Sequence, residues 1–298
     1  MRPLNNHLKT VVLLGGLSAL VVGIGAALGP RYIGLFGVLA VAMNIGAYFF
    51  SDKLVLALHR AKEIPREAAP DLHGLVEELA TRGGLPKPRV FLIPDEQPNA
   101  FATGRNPEKG VVAVTEGILR ILTPRELRGV LAHELAHIRN RDILVSSIAA
   151  TLVSVISSVA NALSFAALFG GGGRDDERSP GGGLLTILVA PIAATLIQLG
   201  ISRSREFLAD ETGARMCGDP EALASALRKL ERGAAAIPSA TEQTATASLF
   251  IVNPFAGAGG LLKLFSTHPS TEERVRRLLA MAPGGTRVLH PDAVFYPA

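Results

Sequence analysis

Four long runs without a charged residue constrain this chain more than any other feature of its sequence. They are Val11–Leu28, Ile33–Phe50, Ile143–Phe169 and Leu184–Ile201, and each has about 18 residues or more. A helix needs about 20 apolar residues to cross the roughly 30 Å of hydrocarbon in a bilayer. The composition agrees, since 48% of the residues are hydrophobic and only 19% are charged. The sequence therefore predicts a polytopic membrane protein with about four transmembrane helices.

Three of these runs allow a second interpretation. The first follows Arg2 and Lys9, as the core of a cleavable signal peptide would, but such cores have only about 7–15 apolar residues. Its greater length and the second run directly after it favour an uncleaved span. The third and fourth runs would have the same composition as buried helices or as a hairpin that dips into the bilayer. We expect two transmembrane hairpins, at residues 1–50 and 143–201, the second with a short external loop.

The basic residues beside the runs predict the orientation of the chain, because Lys and Arg favour the cytoplasmic side of a span. One side has only Arg31, Arg174 and Arg178. The other side carries Arg2, Lys9, Lys53, Arg60, Arg139, Arg141, Arg203 and Arg205. The polar segments 51–142 and 202–298 are therefore expected to face the cytoplasm and to fold together. The net charge of +4 is spread along them, which does not indicate nucleic-acid binding.

A short motif in the first polar segment indicates a metal site. Residues 133–137 read His-Glu-Leu-Ala-His, the H-E-x-x-H pattern. On a helix, His133 and His137 lie on one face about 6 Å apart along the axis, so both imidazoles can bind one ion with Glu134 beside it. Zinc held by neutral imidazoles lowers the pKa of a bound water to about 7, and an adjacent carboxylate can take its proton. The motif therefore predicts peptide-bond hydrolysis.

Local signals place this motif on a helix. Thr123 at the N-cap, Pro124 at the first helical position and Glu126 three residues after the cap form a capping box. An apolar stripe then follows the helical period, at Leu127, Leu131, Leu135 and Ile138. The motif alone arises in roughly one of a hundred shuffled chains of this composition, so this context strengthens the metal interpretation.

A third ligand is expected soon after the fourth run, in Ser202–Asp210. Glu206 and Asp210 are four residues apart on one face of a predicted helix. Glu206 can complete the site, and Asp210 can accept the outer N–H of a metal-binding histidine and fix its tautomer. A surface helix whose acids form salt bridges with Arg203 and Arg205 would have the same sequence. The presence of H-E-x-x-H favours the ligand interpretation.

The segment before the motif has the pattern of a small β-sheet with helices. Residues 71–82 have an amphipathic helical pattern, and Arg89–Ile93 and Gly110–Val114 have strand patterns. Between the strands lie Asn99, Ala100, Phe101, Ala102 and Thr103, which are consistent either with a plain hairpin or with an edge strand able to pair with an extended peptide. The predicted fold is mainly α with a small β-sheet.

Four stretches in order resemble the HtpX family of integral-membrane zinc metalloproteases, relatives of the Ste24 CAAX proteases and the Oma-type proteases. The stretches are Pro98–Gly104, His133–His137 with Asp142 downstream, Ser202–Asp210, and Thr267–Ser270 with Arg274. The resemblance implies a gluzincin-type domain with one Zn²⁺ per chain, held by His133, His137 and Glu206. It also implies a multi-pass protein of the bacterial inner membrane that cleaves misfolded or damaged membrane proteins, in protein quality control and the stress response. Asp142 is expected to support the ligands.

The resemblance also places His268 and Arg274 at the active site. Ser270 and Glu273 have the spacing of a helix cap, which by itself would explain this segment. One or both of His268 and Arg274 can instead stabilise the oxyanion formed in peptide hydrolysis. His268 can alternatively occupy the open zinc position in a resting state.

Two other functions fit parts of the sequence. An intramembrane protease of the site-2 type also carries H-E-x-x-H, but within a span, and the charged residues around this motif argue against it: Arg125, Glu126, Arg128, Arg139 and Arg141. A catalytically idle membrane scaffold or chaperone would keep the metal site without the activity. The complete set of expected residues favours an active endopeptidase.

Overall fold

The computed structural model describes residues 2–153, 203–236, 251 and 269–282. Within these residues the chain is mainly helical with one small mixed sheet. The helices are α1 (Arg2–Leu28), α2 (Ile33–Leu58), α3 (Pro70–Arg82), α4 (Glu116–Ile121), α5 (Pro124–Asn140), α6 (described over Ile143–Val153), α7 (Arg203–Cys217), α8 (Pro220–Ala236) and α9 (Thr271–Met281). This confirms the helix predicted at residues 71–82 and the coarse fold class.

Among the described residues, the sheet contains four strands in the order β1, β2, β4, β3. They are β1 (Lys62–Glu63), β2 (Arg89–Ile93), β3 (Ala100–Thr103) and β4 (Val111–Thr115). β2 and β4 are parallel, whereas β1 and β3 run antiparallel to their neighbours. The strand predicted at Arg89–Ile93 is confirmed, and the strand predicted at Gly110–Val114 begins and ends one residue later. β3 forms an edge of this sheet.

β4 lies inside the domain because both faces of the sheet are covered. All five of its residues are buried. Side chains of one face, such as Val112 and Val114, belong to the main core with α3, α5 and α8. Side chains of the other face, such as Val111 and Ala113, pack with the C-terminal end of α2 and with Ala150 of α6. A continuous apolar run is the pattern expected of a strand buried on both faces. The sheet therefore joins the helical core to the end of α2.

The H-E-x-x-H helix, α5, lies at the centre of the domain and packs against α7, α8, α3 and β3. Its predicted capping box is confirmed: the Thr123 hydroxyl accepts the Glu126 N–H, and the Glu126 carboxylate accepts the Thr123 N–H at 2.9 Å. The helix ends at Arg141, which adopts a left-handed conformation with φ of 58°. This turn directs Asp142 back toward the last turn of α5.

Pro30–Leu58 is long and apolar enough to cross a membrane, alone among the helices of the described segments. Its apolar side chains are largely uncovered, with Val38 70% and Leu35 64% exposed. α1 packs against α2 as a hairpin and contains a shorter apolar stretch, Leu8–Gly23. The predicted third and fourth spans lie outside the described residues, except for α6. The four-span topology therefore stays a prediction.

Candidate metal centre

His133 and His137 lie one helical turn apart on α5, and their rings converge. The two Nε2 atoms are 3.1 Å apart, and the ring planes are almost perpendicular. His133 is buried, and the side chain of His137 is 18% exposed. The helix makes this arrangement possible because residues i and i+4 share a face. Two imidazole nitrogens thus point to one place next to a partly open face.

Glu206 on α7 completes a cluster of three ligand groups. Its Oε2 lies 3.8 Å from His133 Nε2, and its Oε1 lies 3.7 Å from His137 Nε2. The ligand atoms of all three side chains lie within 4.8 Å of one another. In a tetrahedral zinc site with bonds of about 2.0–2.1 Å, neighbouring ligand atoms are roughly 3.3–3.4 Å apart. The observed spacings of 3.1–3.8 Å fit such a site with little adjustment.

A glycine on α7 lets Glu206 come this close. A Cβ at Gly213 would lie 2.8 Å from the backbone nitrogen of His133 and 2.9 Å from its Cα. Both contacts are to backbone atoms, which cannot rotate away. α7 can therefore touch α5 at this level only because residue 213 has no side chain.

Both histidines have a carboxylate behind the ring. His133 Nδ1 lies 3.0 Å from Asp210 Oδ1, and His137 Nδ1 lies 3.2 Å from both carboxylate oxygens of Asp142. A hydrogen bond donated by Nδ1 leaves the lone pair of Nε2 free to bind a metal. The structure therefore places Asp210 and Asp142 where the sequence analysis expected supporting groups.

Arg274 of α9 lies behind this layer and is 2% exposed. Its Nε donates to Asp210 Oδ2 at 2.8 Å and a terminal nitrogen donates to Asp210 Oδ1 at 2.7 Å. The other terminal nitrogen donates to the carbonyl oxygen of Ile251 at 2.7 Å. Burial raises the pKa of the Asp210 carboxyl, but the Arg274 guanidinium and His133 outweigh it and lower this pKa to about 2. Asp210 is thus held as a carboxylate by a two-point contact with Arg274.

The charge pattern of the ligand shell favours a cation. Burial lowers the pKa of His133, which keeps the ring neutral. Burial also acts to lower the pKa of His137, but Asp142, Glu206 and Glu134 together raise it to about 10. The carboxylates of Asp142, Glu206 and Glu134 therefore all favour a positive charge at His137. Either a proton or a metal ion can supply that charge.

Glu134 is buried between α5 and β3, with 2% of its surface exposed. Burial raises the pKa of its carboxyl to about 8, and Glu206 acts in the same direction. The backbone N–H of Ala102 in β3 donates a hydrogen bond to this carboxyl. Glu134 thus lies between the histidines and the edge strand.

The edge of β3 that lies opposite β4 faces this carboxyl. In antiparallel pairs, residues alternate between those that bond to the neighbouring strand and those that point away. The Thr115 N–H donates to the carbonyl oxygen of Asn99 at 2.9 Å, which makes the pair Asn99–Thr115 a bonded one. By alternation, the backbone groups of Ala100 and Ala102 point away from β4. They form a short edge beside Glu134.

The structure brings together most of the residues that the sequence analysis selected. His133, Glu134, His137, Glu206, Asp210, Asp142 and Arg274 lie in one cluster, and Asn99–Thr103 borders it. His268 lies outside the described residues. The sequence analysis missed Gly213 and the carbonyl of Ile251. A signal for Gly213 was available, because it lies three residues after Asp210 on the helix predicted to carry the third ligand. Only small residues fit where two helices are in close contact.

A buried His-His-Glu cluster with a carboxylate beside it, on two crossing helices next to an edge strand, defines a metallopeptidase site of the H-E-x-x-H class. Comparison with known proteins agrees. Residues 66–282 match peptidase family M48, and the chain belongs to that family. It is therefore a metallopeptidase, as the sequence analysis predicted.

The chain is also similar to curated relatives over nearly its whole length. It is 54% identical to the Protease HtpX homolog of Syntrophobacter fumaroxidans, over 93% of this chain and 100% of that one. It is 52% identical to the Protease HtpX homolog of Methylibium petroleiphilum, over 93% of this chain and 98% of that one. The predicted resemblance to HtpX proteases is confirmed. A crystal structure of S. mikatae Ste24p matches with a TM-score of 0.46 and 19% identity, over 93% of this chain and 65% of that one.

Proposed function

We propose that this chain is a zinc endopeptidase anchored in the bacterial inner membrane, with its catalytic site on the cytoplasmic side. One observation carries the proposal: three ligand atoms from His133, His137 and Glu206 converge within 4.8 Å, beside the buried carboxyl of Glu134. Two imidazoles and one carboxylate with a further position open are the donor set of catalytic zinc.

Zinc bound there would make a water molecule more acidic and polarise the peptide carbonyl. Glu134 has the position to accept the proton of the attacking water and to return it to the leaving amine. Burial raises the pKa of its carboxyl to about 8, which favours the protonated form. A general base and acid needs both forms within reach near neutral pH. A bound dication would lower this pKa from that value, toward the carboxylate form that the first step uses.

The edge of β3 is proposed to hold the substrate. A peptide that pairs with the backbone of Ala100 and with the carbonyl oxygen of Ala102 would run extended past Glu134, with main-chain hydrogen bonds that do not depend on its side chains. Such binding suits unfolded or damaged proteins of varied sequence. The end of this edge is joined to α6, because the Thr103 hydroxyl lies 2.7 Å from the Ser147 hydroxyl.

We assign Arg274 a positioning role. Its guanidinium donates hydrogen bonds to both carboxylate oxygens of Asp210 and to the carbonyl oxygen of Ile251. The chain Arg274, Asp210, His133 fixes the tautomer and direction of one ligand. We therefore prefer this role to the oxyanion role expected from sequence.

The test is proteolysis of an unfolded casein-type substrate by the detergent-purified chain. Wild type should lose activity with a chelator and regain it when zinc is added back. Glu134→Gln should remain inactive after the same zinc addition, whereas Glu67→Gln, which changes an exposed carboxylate, should behave as wild type. An active Glu134→Gln enzyme would refute the assigned base, and a chelator-insensitive wild type would refute the metal mechanism. An inactive wild type with normal zinc content would favour the idle scaffold.

A further inference from the structure

A cavity of about 720 Å³ lies where the end of α2 meets the sheet. α2 contributes Ile45, Phe49, Phe50, Asp52 and Lys53 to its wall. The sheet side contributes the first residue of β2 and two residues of the β3–β4 connection. The volume is in the usual range for small-molecule sites, about 300–1,000 Å³. This cavity is separate from the zinc ligands, since none of them lines it.

The polar wall of the cavity is strongly basic. Lys53, Arg89, Arg105 and Lys109 line it, and they come from three separate elements. Of these, Arg89 has a carboxylate nearby, with Glu63 Oε2 at 3.5 Å and both side chains about half exposed. An exposed pair of this kind is weak. The fold thus brings cations that are far apart in the sequence to one cavity. A preference for basic residues next to a membrane span would not by itself place them together.

The apolar wall is aromatic and open. The Arg105 guanidinium carbon lies 5.1 Å from the ring centre of Phe49, and Lys53 Nζ lies 5.3 Å from that of Phe50. These cation–π contacts hold the two charges beside the rings. Phe49 is 46% and Phe50 53% exposed, as is Ile45 at 53%. An exposed apolar wall next to cations fits a ligand that has both an anionic head and a hydrocarbon tail.

Asp52 adds an acceptor to this basic wall. It is 7% exposed, and its Oδ1 has no hydrogen-bond partner among the residues that the structure describes. A carboxylate would repel a bare phosphate, but it would accept a hydrogen bond from a hydroxyl placed next to one. The wall therefore matches a head group with a phosphate and a hydroxyl.

The cavity lies at the level where a bilayer would end. The uncharged run of α2 stops at Phe50, and Asp52 and Lys53 are the first charges after it. About 18 residues at 1.5 Å each span about 27 Å, close to the thickness of the hydrocarbon core. If α2 crosses the membrane as proposed above, the Phe side chains contact acyl chains and the cations contact head groups.

We propose that this cavity binds an anionic glycerophospholipid with a hydroxylated head group, such as phosphatidylglycerol. This inference rests on the membrane location in the proposed function, but not on the peptidase activity. The phosphate lies among Lys53, Arg105 and Lys109, the head-group hydroxyl donates to Asp52, and the acyl chains lie along Ile45, Phe49 and Phe50. The lipid ties the catalytic domain to the end of α2.

The first test measures lipid binding to the full chain by calorimetry, in non-ionic detergent and with Glu134→Gln to prevent self-cleavage. We expect saturable binding of short-chain phosphatidylglycerol and none of short-chain phosphatidylcholine. Arg105→Gln with Lys109→Gln should weaken binding by roughly tenfold to thirtyfold, since each cation near a lipid surface contributes about 1 kcal/mol. The control pair, Arg228→Gln with Arg232→Gln, removes the same charge from exposed positions of α8 and should leave affinity unchanged. Equal weakening by both pairs, or equal binding of both lipids, would overturn the proposal.

Two further arms identify the ligand. Inorganic phosphate and glycerol phosphate should bind at least tenfold more weakly than the lipid, because they lack acyl chains; equal binding would show a phosphate site and contradict a lipid site. Asp52→Asn should reduce the preference for phosphatidylglycerol over phosphatidic acid. An unchanged preference would contradict the proposed contact between Asp52 and the head-group hydroxyl.

Membrane fractionation separates the lipid site from the membrane location in the proposed function. A chain that sediments with membranes and cleaves casein but shows no lipid preference fails only this inference, whereas a chain in the soluble fraction fails the proposed location.

Discussion

The proposed role of Arg274 is to position a metal ligand through Asp210. Arg274→Gln should remove the two-point contact with Asp210, so that His133 is less firmly directed toward the metal. We expect zinc affinity and kcat/KM to fall by roughly 10- to 100-fold, as is usual when a group behind a metal ligand is removed. The exposed Arg276 on the same helix offers the matched control, Arg276→Gln. Competition with a zinc chelator measures the affinity.

This measurement also distinguishes the two roles considered for Arg274. An oxyanion donor acts only on the transition state, so its removal would lower kcat while zinc affinity stayed the same. Unchanged zinc affinity in Arg274→Gln would therefore contradict the positioning role. The unfolding temperature of the metal-free protein is the control. A general loss of packing would lower that temperature as well as the zinc affinity, whereas loss of the positioning contact would lower the zinc affinity.

At the residue scale, spacing carries much of the information. His133, Glu134 and His137 could be selected because the i, i+4 rule needs only a helix, and Glu206 and Asp210 follow the same rule. The contact between Arg274 and Asp210 joins residues 64 positions apart, and no local pattern specifies such a pair. The sequence around Arg274 indicates a helix cap equally well. The structure contains both, since the Ser270 hydroxyl accepts the Glu273 N–H at the start of α9 and Arg274 contacts Asp210.

At the scale of elements, the contact between α5 and α7 makes a sharp prediction. Gly213→Ala would place a methyl group 2.8–2.9 Å from backbone atoms of His133, so the helices must separate. We expect a loss of roughly 1–3 kcal/mol in stability, together with weaker zinc binding because Glu206 moves with α7. The thermal unfolding midpoint and zinc affinity, measured on the detergent-purified chain, check this.

Gly74→Ala in α3 provides a control with the opposite sign. A Cβ there would have no heavy atom within 4 Å, so alanine meets no obstacle. Alanine is favoured over glycine in a helix interior by about 1 kcal/mol, so this variant should be as stable as wild type or more stable. A Gly213→Ala protein that matches Gly74→Ala in both stability and zinc affinity would contradict the close contact described here.

Glu126 joins the start of α5 to α8 and predicts a pH dependence. Its carboxylate accepts hydrogen bonds from Lys229 and from the Ser225 hydroxyl, both at 2.7 Å, besides its contacts in the capping box. Burial raises the pKa of this carboxyl, but these hydrogen bonds outweigh it and lower the pKa to about 2. The stabilisation is therefore fully present above the ordinary pKa of about 4.5 and is lost as the pH falls toward 2.

Glu126→Gln should lower stability at pH 7 by roughly 1.5–3 kcal/mol, the range for hydrogen bonds to a charged group. Below pH 4.5 the difference from wild type should shrink. Thermal unfolding at pH 7 and at pH 3.5 measures both values, with the exposed Glu67→Gln as the control. A difference that stays constant between these pH values would mean that the carboxylate charge does not link the two helices.

Local patterns predicted the elements well, because caps and periodicity act within a few residues. The capping box at Thr123 and the alternation-free strand β4 are examples. The order of the strands was beyond such patterns. β2 pairs directly with β4, although β3 lies between them in the sequence. This pairing depends on the burial of both sheet faces, by the helical core on one side and by α2 on the other.

At the scale of the whole molecule, the basic residues predict how the chain crosses the membrane. A reporter fused after Asp142 should report the cytoplasm, and one in the loop 170–183, outside the described residues, should report the exterior. The physical reason is the excess of Lys and Arg on the side of the polar segments. A cytoplasmic signal from the loop would show that residues 143–201 do not cross the bilayer, while α2 would remain as an anchor.

Composition predicted membrane helices, but it could not show how the polar segments are attached to them. The structure shows Val55 and Leu56, at the end of α2, packed under the sheet with Phe91 and Phe101. The anchor and the catalytic domain thus share a core. Contacts between segments so distant in sequence come from the fold, which hydropathy does not encode.

We propose that His133, His137 and Glu206 hold one zinc ion and that Glu134 acts beside it without binding it. Metal content of the purified full chain, measured by mass spectrometry for Glu134→Gln and Glu206→Ala prepared in parallel, tests this most directly. We predict about one zinc per chain in Glu134→Gln, with proteolysis abolished, and little zinc in Glu206→Ala. Full zinc occupancy and activity in Glu206→Ala, or loss of zinc from Glu134→Gln, would contradict the assigned site.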